Sequence, residues 1–513
     1  MSALVHRRSA NSQLELPDTL HPLLQRVYRQ RNIGSADDLS LDFKSLLPPQ
    51  SLKGMDAAVE LLWQALQQQQ RVLIVADFDA DGATSCALVL TALQQMGFHH
   101  LDYIVPNRFD YGYGLTPEIV ELAATRNPDL IVTVDNGISS IEGVASAKAK
   151  NIKTLVTDHH LPAEVTPDAD AIVNPNQHGC EFPSKSIAGV GVIFYVMLGL
   201  RSKLREESWF ESQKIPEPNM ADLLDLVALG TVADVVALDK NNRILVSEGL
   251  KRIRAGRTRP GIQNLLKLAK KSPQRLTATD LGFGIGPRLN AAGRLDDMST
   301  GIECLLAQHE GDAHMLALQL DGMNRDRKEI ESGMRDQAFE ILRELTLDED
   351  NIPNALCLFD ERWHQGVVGI IASRIKEKYN RPVIIFAKAS DEVDGETGLQ
   401  QLKGSGRSIK GFHIRDALDA VASKNPGLVS KFGGHAMAAG LSLNEESLPA
   451  FVEAFQNEAT EHLSEDLLQA RILSDGELQV QDFTMDTAAE LLRAGPWGQE
   501  FPEPVFDGRF NLL

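Results

Sequence analysis

The amino-acid sequence predicts an α/β protein: a parallel-sheet domain with a helical extension, a long connecting helix and a second, smaller α/β unit. Four observations carry this. Short apolar runs at 71–76, 103–105, 130–134, 154–157 and 171–173 alternate with helical segments, the pattern of strands covered on both faces of a parallel sheet. Residues 187–310 read as mostly helical. From 312 to 345, Leu316, Leu320, Met323, Ile330, Met334, Ala338, Ile341 and Leu345 recur at helical spacing with no proline between them, which predicts a single long helix. A second alternation follows, with strands at 355–359 and 383–386 and a helix at 367–378.

The remaining elements follow in order. A helix is expected over 83–96, another opens at Thr116-Pro117-Glu118, and a third starts from Ser139; proline suits the first turn, where its missing N–H costs nothing. Residues 496–504 read as a loop. Residues 473–513 hold short strand-like pieces, and the apolar run 510–513 reads as a domain stopped in mid-strand.

The length of 513 residues allows two to four domains. The Met1-Ser2-Ala3-Leu4-Val5-His6-Arg7-Arg8 start lacks an apolar core, so no signal peptide is expected. The uncharged stretch 187–200 falls short of the ~20 residues a membrane helix needs. Cys86, Cys180, Cys304 and Cys357 are dispersed. That fits a reducing, cytoplasmic setting and argues against a thiolate zinc site. The net charge of −20 counts against a simple nucleic-acid binder. The segment 251–275 is nonetheless rich in Lys and Arg with no acid, which reads either as a solvated helical surface or as a basic patch.

The acids sit where the chemistry of such a sheet belongs, beyond the carboxyl ends of strands. The first strand runs into Asp77-Phe78-Asp79-Ala80-Asp81-Gly82, the third into Asp135-Asn136-Gly137, the fourth into Asp158-His159-His160, and Asp234 follows an apolar helix. One such Asp reads as a helix cap. Asp77, Asp79 and Asp81 cannot all be caps, and clustered like charges persist best around a cation. Carboxylates with imidazole favour Mn²⁺ or Mg²⁺ over zinc, and a shared carboxylate suits a pair of cations working on a phosphoester. Gly82 is expected to let the chain turn sharply into the next helix.

Asp79-Ala80-Asp81-Gly82, Asp135-Asn136-Gly137 and Asp158-His159-His160 resemble three motifs of the DHH phosphoesterase family. Val105-Pro106-Asn107-Arg108-Phe109 with Gly112-Tyr113-Gly114, Gly230-Thr231-Val232-Ala233-Asp234-Val235-Val236 and Gly286-Pro287-Arg288-Leu289-Asn290-Ala291-Ala292-Gly293-Arg294 resemble its branch of single-strand-specific 5′→3′ exonucleases. Trp363-His364-Gln365-Gly366-Val367-Val368-Gly369, Gly404-Ser405-Gly406-Arg407-Ser408 and Gly433-Gly434-His435-Ala436-Met437-Ala438-Ala439-Gly440 resemble the DHH-associated domain.

The resemblance implies a DHH domain with its extension over 1–310, a connecting helix over 311–346, a DHH-associated domain over 347–472 and the start of an incomplete OB-fold over 473–513. It implies two divalent cations, Mn²⁺ or Mg²⁺. Their ligands would be Asp79, Asp81, Asp135, His159 and Asp234, with Asp135 bridging and Asp77 either a further ligand or an orienting group. His160 would contact the scissile phosphate and Asp158 would orient the histidine pair. Arg108, Ser405 and Arg407 would take a 5′-terminal phosphate, and Gly433, Gly434 and His435 the substrate backbone. Arg288, Asn290 and Arg294 are further substrate candidates, the two arginines reading equally as structural ion pairs. Single-stranded DNA would be the substrate, with 5′-mononucleotides as products, in DNA recombination and repair. A single-strand-binding protein and a RecQ-type helicase would be partners.

Taken alone, the glycines around Ser405 and Arg407 read as an ordinary turn between strands. Residues 390–401, with Asp391, Glu392, Asp394 and Glu396, read as an acidic insertion into the family pattern. Two other functions fit parts of the pattern. A DHH enzyme acting on short oligonucleotides, cyclic dinucleotides or pyrophosphate shares the metal motifs, but the helical region 187–310 favours the exonuclease. A non-catalytic scaffold fits poorly, because every proposed ligand is present.

Overall fold

The computed structural model describes residues 4–31, 33–107, 114–344, 352–389 and 399–509. The chain forms two compact units, one of residues 9–324 with 475–513 and the other of residues 325–474 with the N-terminal strand.

In the first unit, strands β1 (Val72–Ala76), β2 (Leu101–Ile104), β3 (Leu130–Val134), β4 (Lys153–Thr157) and β5 (Ala171–Val173) form a sheet in the order β2-β1-β3-β4-β5. All pairings are parallel. Every residue of β1 and β3 is buried, because helices cover both faces, and this is why β1 is an unbroken apolar run and β3 is broken only by Thr133. The strand order reverses between β1 and β3. In an open parallel sheet, that switch point leaves a crevice beyond the strand ends, and β1 and β3 are the strands that end in Asp77 and Asp135.

Helix α1 (Ala80–Gln95) begins three residues before the apolar pattern does, because Asp79 caps it by accepting from the Asp81 and Gly82 amides. Thr116 caps α2 (Pro117–Ala124), and α3 (Ile141–Ala149) follows β3. The helical region supplies α4 (Gly189–Glu206), α5 (Leu224–Ala233) and α6 (Gly286–Leu295). Part of the charge of the basic segment is taken up by ion pairs: Lys251, Arg252, Arg259, Lys267 and Lys271 pair with Glu248, Asp222, Asp225, Glu310 and Asp280.

The expected long helix is α7 (Glu310–Glu344). The boundary between the units falls within it, at residue 324. Ala317 and Leu320 join the first core, while Met334, Ala338 and Leu342 join a core of the second unit.

The second unit holds β6 (Leu356–Phe359), α8 (Val368–Tyr379), β7 (Val383–Lys388), β8 (Gln401–Arg407), β9 (Lys431–Gly434) and β10 (Ala438–Asn444). The sheet order is β9-β10-β8-β7-β6, with only β6 and β7 parallel. The glycine-rich segment at 404–408 is therefore a strand rather than a turn. Its residues alternate, with Leu402, Gly404 and Gly406 buried on one face and Lys403, Ser405 and Arg407 half-buried on the other. Gly404 and Gly406 are required because a Cβ on either would lie 2.6 Å from the side chains packed beneath, Phe386 and Leu441 at one and Ile414 at the other.

Within 473–513, the described residues include a helix, Met485–Arg493, that the strand-like reading missed. This segment packs into the first unit: Arg31 and Asp475 form a buried ion pair at 2.6 Å, and Trp497 stacks on Phe501. Most of the acidic insertion, 390–398, lies outside the described residues.

Candidate metal centre and phosphate-reading strand

The carboxylates gather at the switch point. Asp77 follows β1 and Asp135 follows β3, and one ligand atom from each of Asp77, Asp79 and Asp135 lies within 4.8 Å of the others. A second such set joins Asp81, His159 and Asp234. The sets meet through His159, whose Nε2 lies 3.1 Å from Asp135 Oδ1, 3.5 Å from Asp234 Oδ2 and 4.0 Å from Asp81 Oδ2. The resemblance-based ligand set is thus one cluster with Asp135 at its centre.

Local structure explains how these groups are held. Asp135 adopts φ 64°, a left-handed conformation that Asp tolerates better than most residues. Gly189 starts α4 directly against it, since a Cβ there would lie 2.5 Å from Asp135 Oδ1. Asp81 is fully buried and accepts from the Gly189 and Val190 amides at 2.6 and 3.0 Å, so the first turn of α4 holds its carboxylate. Asn136 ties β1 to β3 through the Val75 and Val134 carbonyls. Gly82 is needed for space rather than for a turn, because a Cβ would lie 2.3 Å from the Asp77 carbonyl oxygen.

Burial and mutual repulsion raise these acids. Asp77, Asp135 and Asp234 are held well above the usual carboxylate range, and Asp81 is pushed up to about 7. A divalent cation relieves both effects. Oxygen donors with one imidazole suit Mn²⁺ or Mg²⁺, so the residues fit such ions.

The other acid has a different task. Asp158 accepts from the Ile138, His159 and His160 amides and from His160 Nδ1 at 2.8 Å. Burial alone would raise it, but the His160 hydrogen bond and the histidine charges hold it below the usual range. Burial lowers His160 in turn, yet the Asp158 hydrogen bond and the charges of Asp158, Asp77 and Asp234 carry it up to about 9. The pair therefore fixes which His160 nitrogen faces outward.

The remaining candidates divide. Asn290 accepts from the Ala80 amide at 2.7 Å, which braces the carboxylate loop. Gly293, one turn on, packs so tightly that a Cβ would lie 1.8 Å from the Phe78 carbonyl oxygen. Arg288 is a structural ion pair, bound to Asp321 at 2.8 Å and to the Gly284 carbonyl. Arg294 is half-buried on α6. Arg108 lies outside the described residues.

In the second unit, Arg407 Nη1 donates to Ser405 Oγ at 3.2 Å and to the Gly406 carbonyl at 2.8 Å. Both side chains lie over Gly369 in the first turn of α8. The sequence motif Trp363–Gly369 contained Gly369 but gave it no role of its own. Gly433 and Gly434 end β9, with Gly434 at φ 141°, and His435 N donates to the Ala438 carbonyl.

Three family models match the chain: the DHH family N-terminal domain over 71–231, the DHHA1 domain over 353–461 and the RecJ OB domain over 474–513. The single-stranded-DNA-specific exonuclease RecJ of Salmonella typhimurium is 54% identical over 509 residues, which cover 99% of this chain and 87% of that protein. The chain belongs to the RecJ family. RecJ of Escherichia coli is 53% identical with the same coverage. The crystal structure of RecJ from Thermus thermophilus in complex with Mn²⁺ superposes with a TM-score of 0.76 at 29% identity, covering 95% of this chain and 66% of that one. The α/β architecture, with its DHH and DHHA1 domains and a segment that matches the RecJ OB domain, is thus that of the RecJ family.

Proposed function

We propose that the chain is a single-stranded-DNA-specific exonuclease that hydrolyses phosphodiester bonds in the 5′→3′ direction with two divalent cations, releasing 5′-mononucleotides. The observation that carries this is the convergence of five aspartates and His159 at the switch point of a parallel sheet, in a chain more than half identical to named single-stranded-DNA-specific exonucleases. Asp77, Asp79, Asp81, Asp135, His159 and Asp234 would hold Mn²⁺ or Mg²⁺, with Asp135 shared. When bound, the cations supply charge neutralisation at the phosphoryl oxygens and activation of water. Asp158 orients His160, whose ring meets the scissile phosphate. Arg407 and Ser405 take the 5′-terminal phosphate through a guanidinium fork and a hydroxyl.

The same reading places the enzyme in DNA recombination and repair in the cytoplasm, with a single-strand-binding protein and a RecQ-type helicase as partners. Among the described residues, no helix is long and apolar enough to cross a membrane. The test uses a long single strand, the matching blunt duplex and a dinucleotide, each with Mn²⁺ and with EDTA. Cation-dependent release of mononucleotides from the single strand alone is expected. Equal rates on the duplex or a preference for the dinucleotide would overturn it.

A further inference from the structure

The histidine pair is held from a side that the metal and phosphate chemistry does not use. Strands β4 and β5 run parallel, with Thr157 opposite Val173, and the Asp158 amide donates to the Val173 carbonyl at 3.1 Å. The chain leaving β5, Asn174-Pro175-Asn176, therefore lies beside the chain leaving β4. Asn174 is completely buried, and its Nδ2 donates to the His160 carbonyl at 2.9 Å. Asn176 Nδ2 donates to the His159 carbonyl at 2.6 Å and to the Lys185 carbonyl at 3.1 Å. The asparagines brace each other, since the Asn176 amide donates to Asn174 Oδ1 at 2.7 Å.

With Asp158 accepting both histidine amides, all four backbone polar groups of His159 and His160 are engaged by three side chains. A buried backbone group left without a partner is costly, so this arrangement permits essentially one course for the dipeptide. The rings then inherit their positions from the backbone.

We infer that Asn174 and Asn176 are positioning residues for the histidine pair, Asn176 setting the metal-facing ring of His159 and Asn174 the phosphate-facing ring of His160. This rests on the metal-centre reading above. It predicts a division of labour that a merely structural role would not show. Groups that orient ligands from behind typically change metal affinity or activity about 10- to 100-fold.

The experiment measures Mn²⁺ binding by calorimetry, together with kcat, KM and Tm on single-stranded DNA. Asn176→Ala should weaken Mn²⁺ binding at least about tenfold with KM for DNA unchanged. Asn174→Asp retains the shape and the acceptor for Asn176 but loses the donor to His160. It should lower kcat about tenfold, with Mn²⁺ affinity unchanged. Wild-type Mn²⁺ affinity and kcat in both variants would overturn the inference, as would losses that follow Tm with no split between metal affinity and kcat. A wild-type chain that binds no Mn²⁺ would overturn the metal-centre reading and this inference with it. Normal wild-type binding with unaltered variants would overturn the inference alone.

Discussion

The two sheets present polar groups in opposite ways. In the parallel sheet they stand at strand ends, where Asp77, Asp135 and Asp158 each follow a strand that is wholly or almost wholly buried. In the mainly antiparallel sheet they stand along a strand face, where Ser405 and Arg407 alternate with inward glycines. A strand end places several acids close together without burying them in the sheet itself, and this suits cations. A strand face spaces donors at every second residue, and this suits an anion.

The largest effect should come from the centre of the acidic cluster. Replacing Asp135 should lower nuclease activity by orders of magnitude. Its φ of 64° makes Asn the cleaner substitution: Asn accepts that conformation and keeps the side chain's shape, whereas Ala adds backbone strain of about 1 kcal/mol. A folded Asp135→Asn protein that cleaves at near-normal rate in Mn²⁺ would break the contrast between the sheets at its stronger pole. Cation binding should also appear as stability. With free Mn²⁺ about a hundredfold above Kd, the wild type should gain about 2.7 kcal/mol. EDTA should reverse the rise in Tm, and Asp135→Asn should show little of it.

The difference between the sheets also explains what was legible in the sequence. The five strands could be read from their mainly apolar runs, and the acids after β1, β3 and β4 stood out because those strands are wholly or almost wholly buried. The long helix was equally plain, from Leu316 to Ala338. The strand at 401–407 was not, since glycines that yield to Phe386, Leu441 and Ile414 cannot be told from turn glycines until those neighbours are known. Its alternation of Leu402, Gly404 and Gly406 with Lys403, Ser405 and Arg407 was nevertheless present as a period of two. Arg288 could not be assigned because its partner Asp321 lies on a distant helix. Asn174 and Asn176 escaped notice for a related reason: their partners are backbone carbonyls, which leave no mark in a sequence.

A smaller effect is expected at Arg407. Changing it to Ala removes the guanidinium and should weaken binding of a 5′-phosphorylated oligonucleotide by about 1.5–3 kcal/mol, or roughly ten- to hundredfold. Mn²⁺ affinity should not change. The comparison is between 5′-phosphate and 5′-hydroxyl ends in wild type and variant. Equal slowing on both ends, or products accumulating from the 3′ end, would show that this strand face does not read the phosphate.

The smallest effect sharpens the same point, at Gly369. A Cβ there would lie 2.9 Å from both Arg407 Nη2 and Ser405 Oγ. These are the ends of side chains rather than backbone, so they can move, and folding should scarcely suffer. What changes is where the two donors point. Gly369→Ala should therefore reduce the preference for a 5′-phosphate over a 5′-hydroxyl by about fivefold, corresponding to about 1 kcal/mol, with Tm within about 1 °C of wild type. Because Gly369→Ala acts by moving the Arg407 guanidinium, the double variant with Arg407→Ala should lose no more selectivity than Arg407→Ala alone. Additive losses would mean that Gly369 acts elsewhere, and an unchanged preference in the single variant would mean that the first turn of α8 does not set the donors' position.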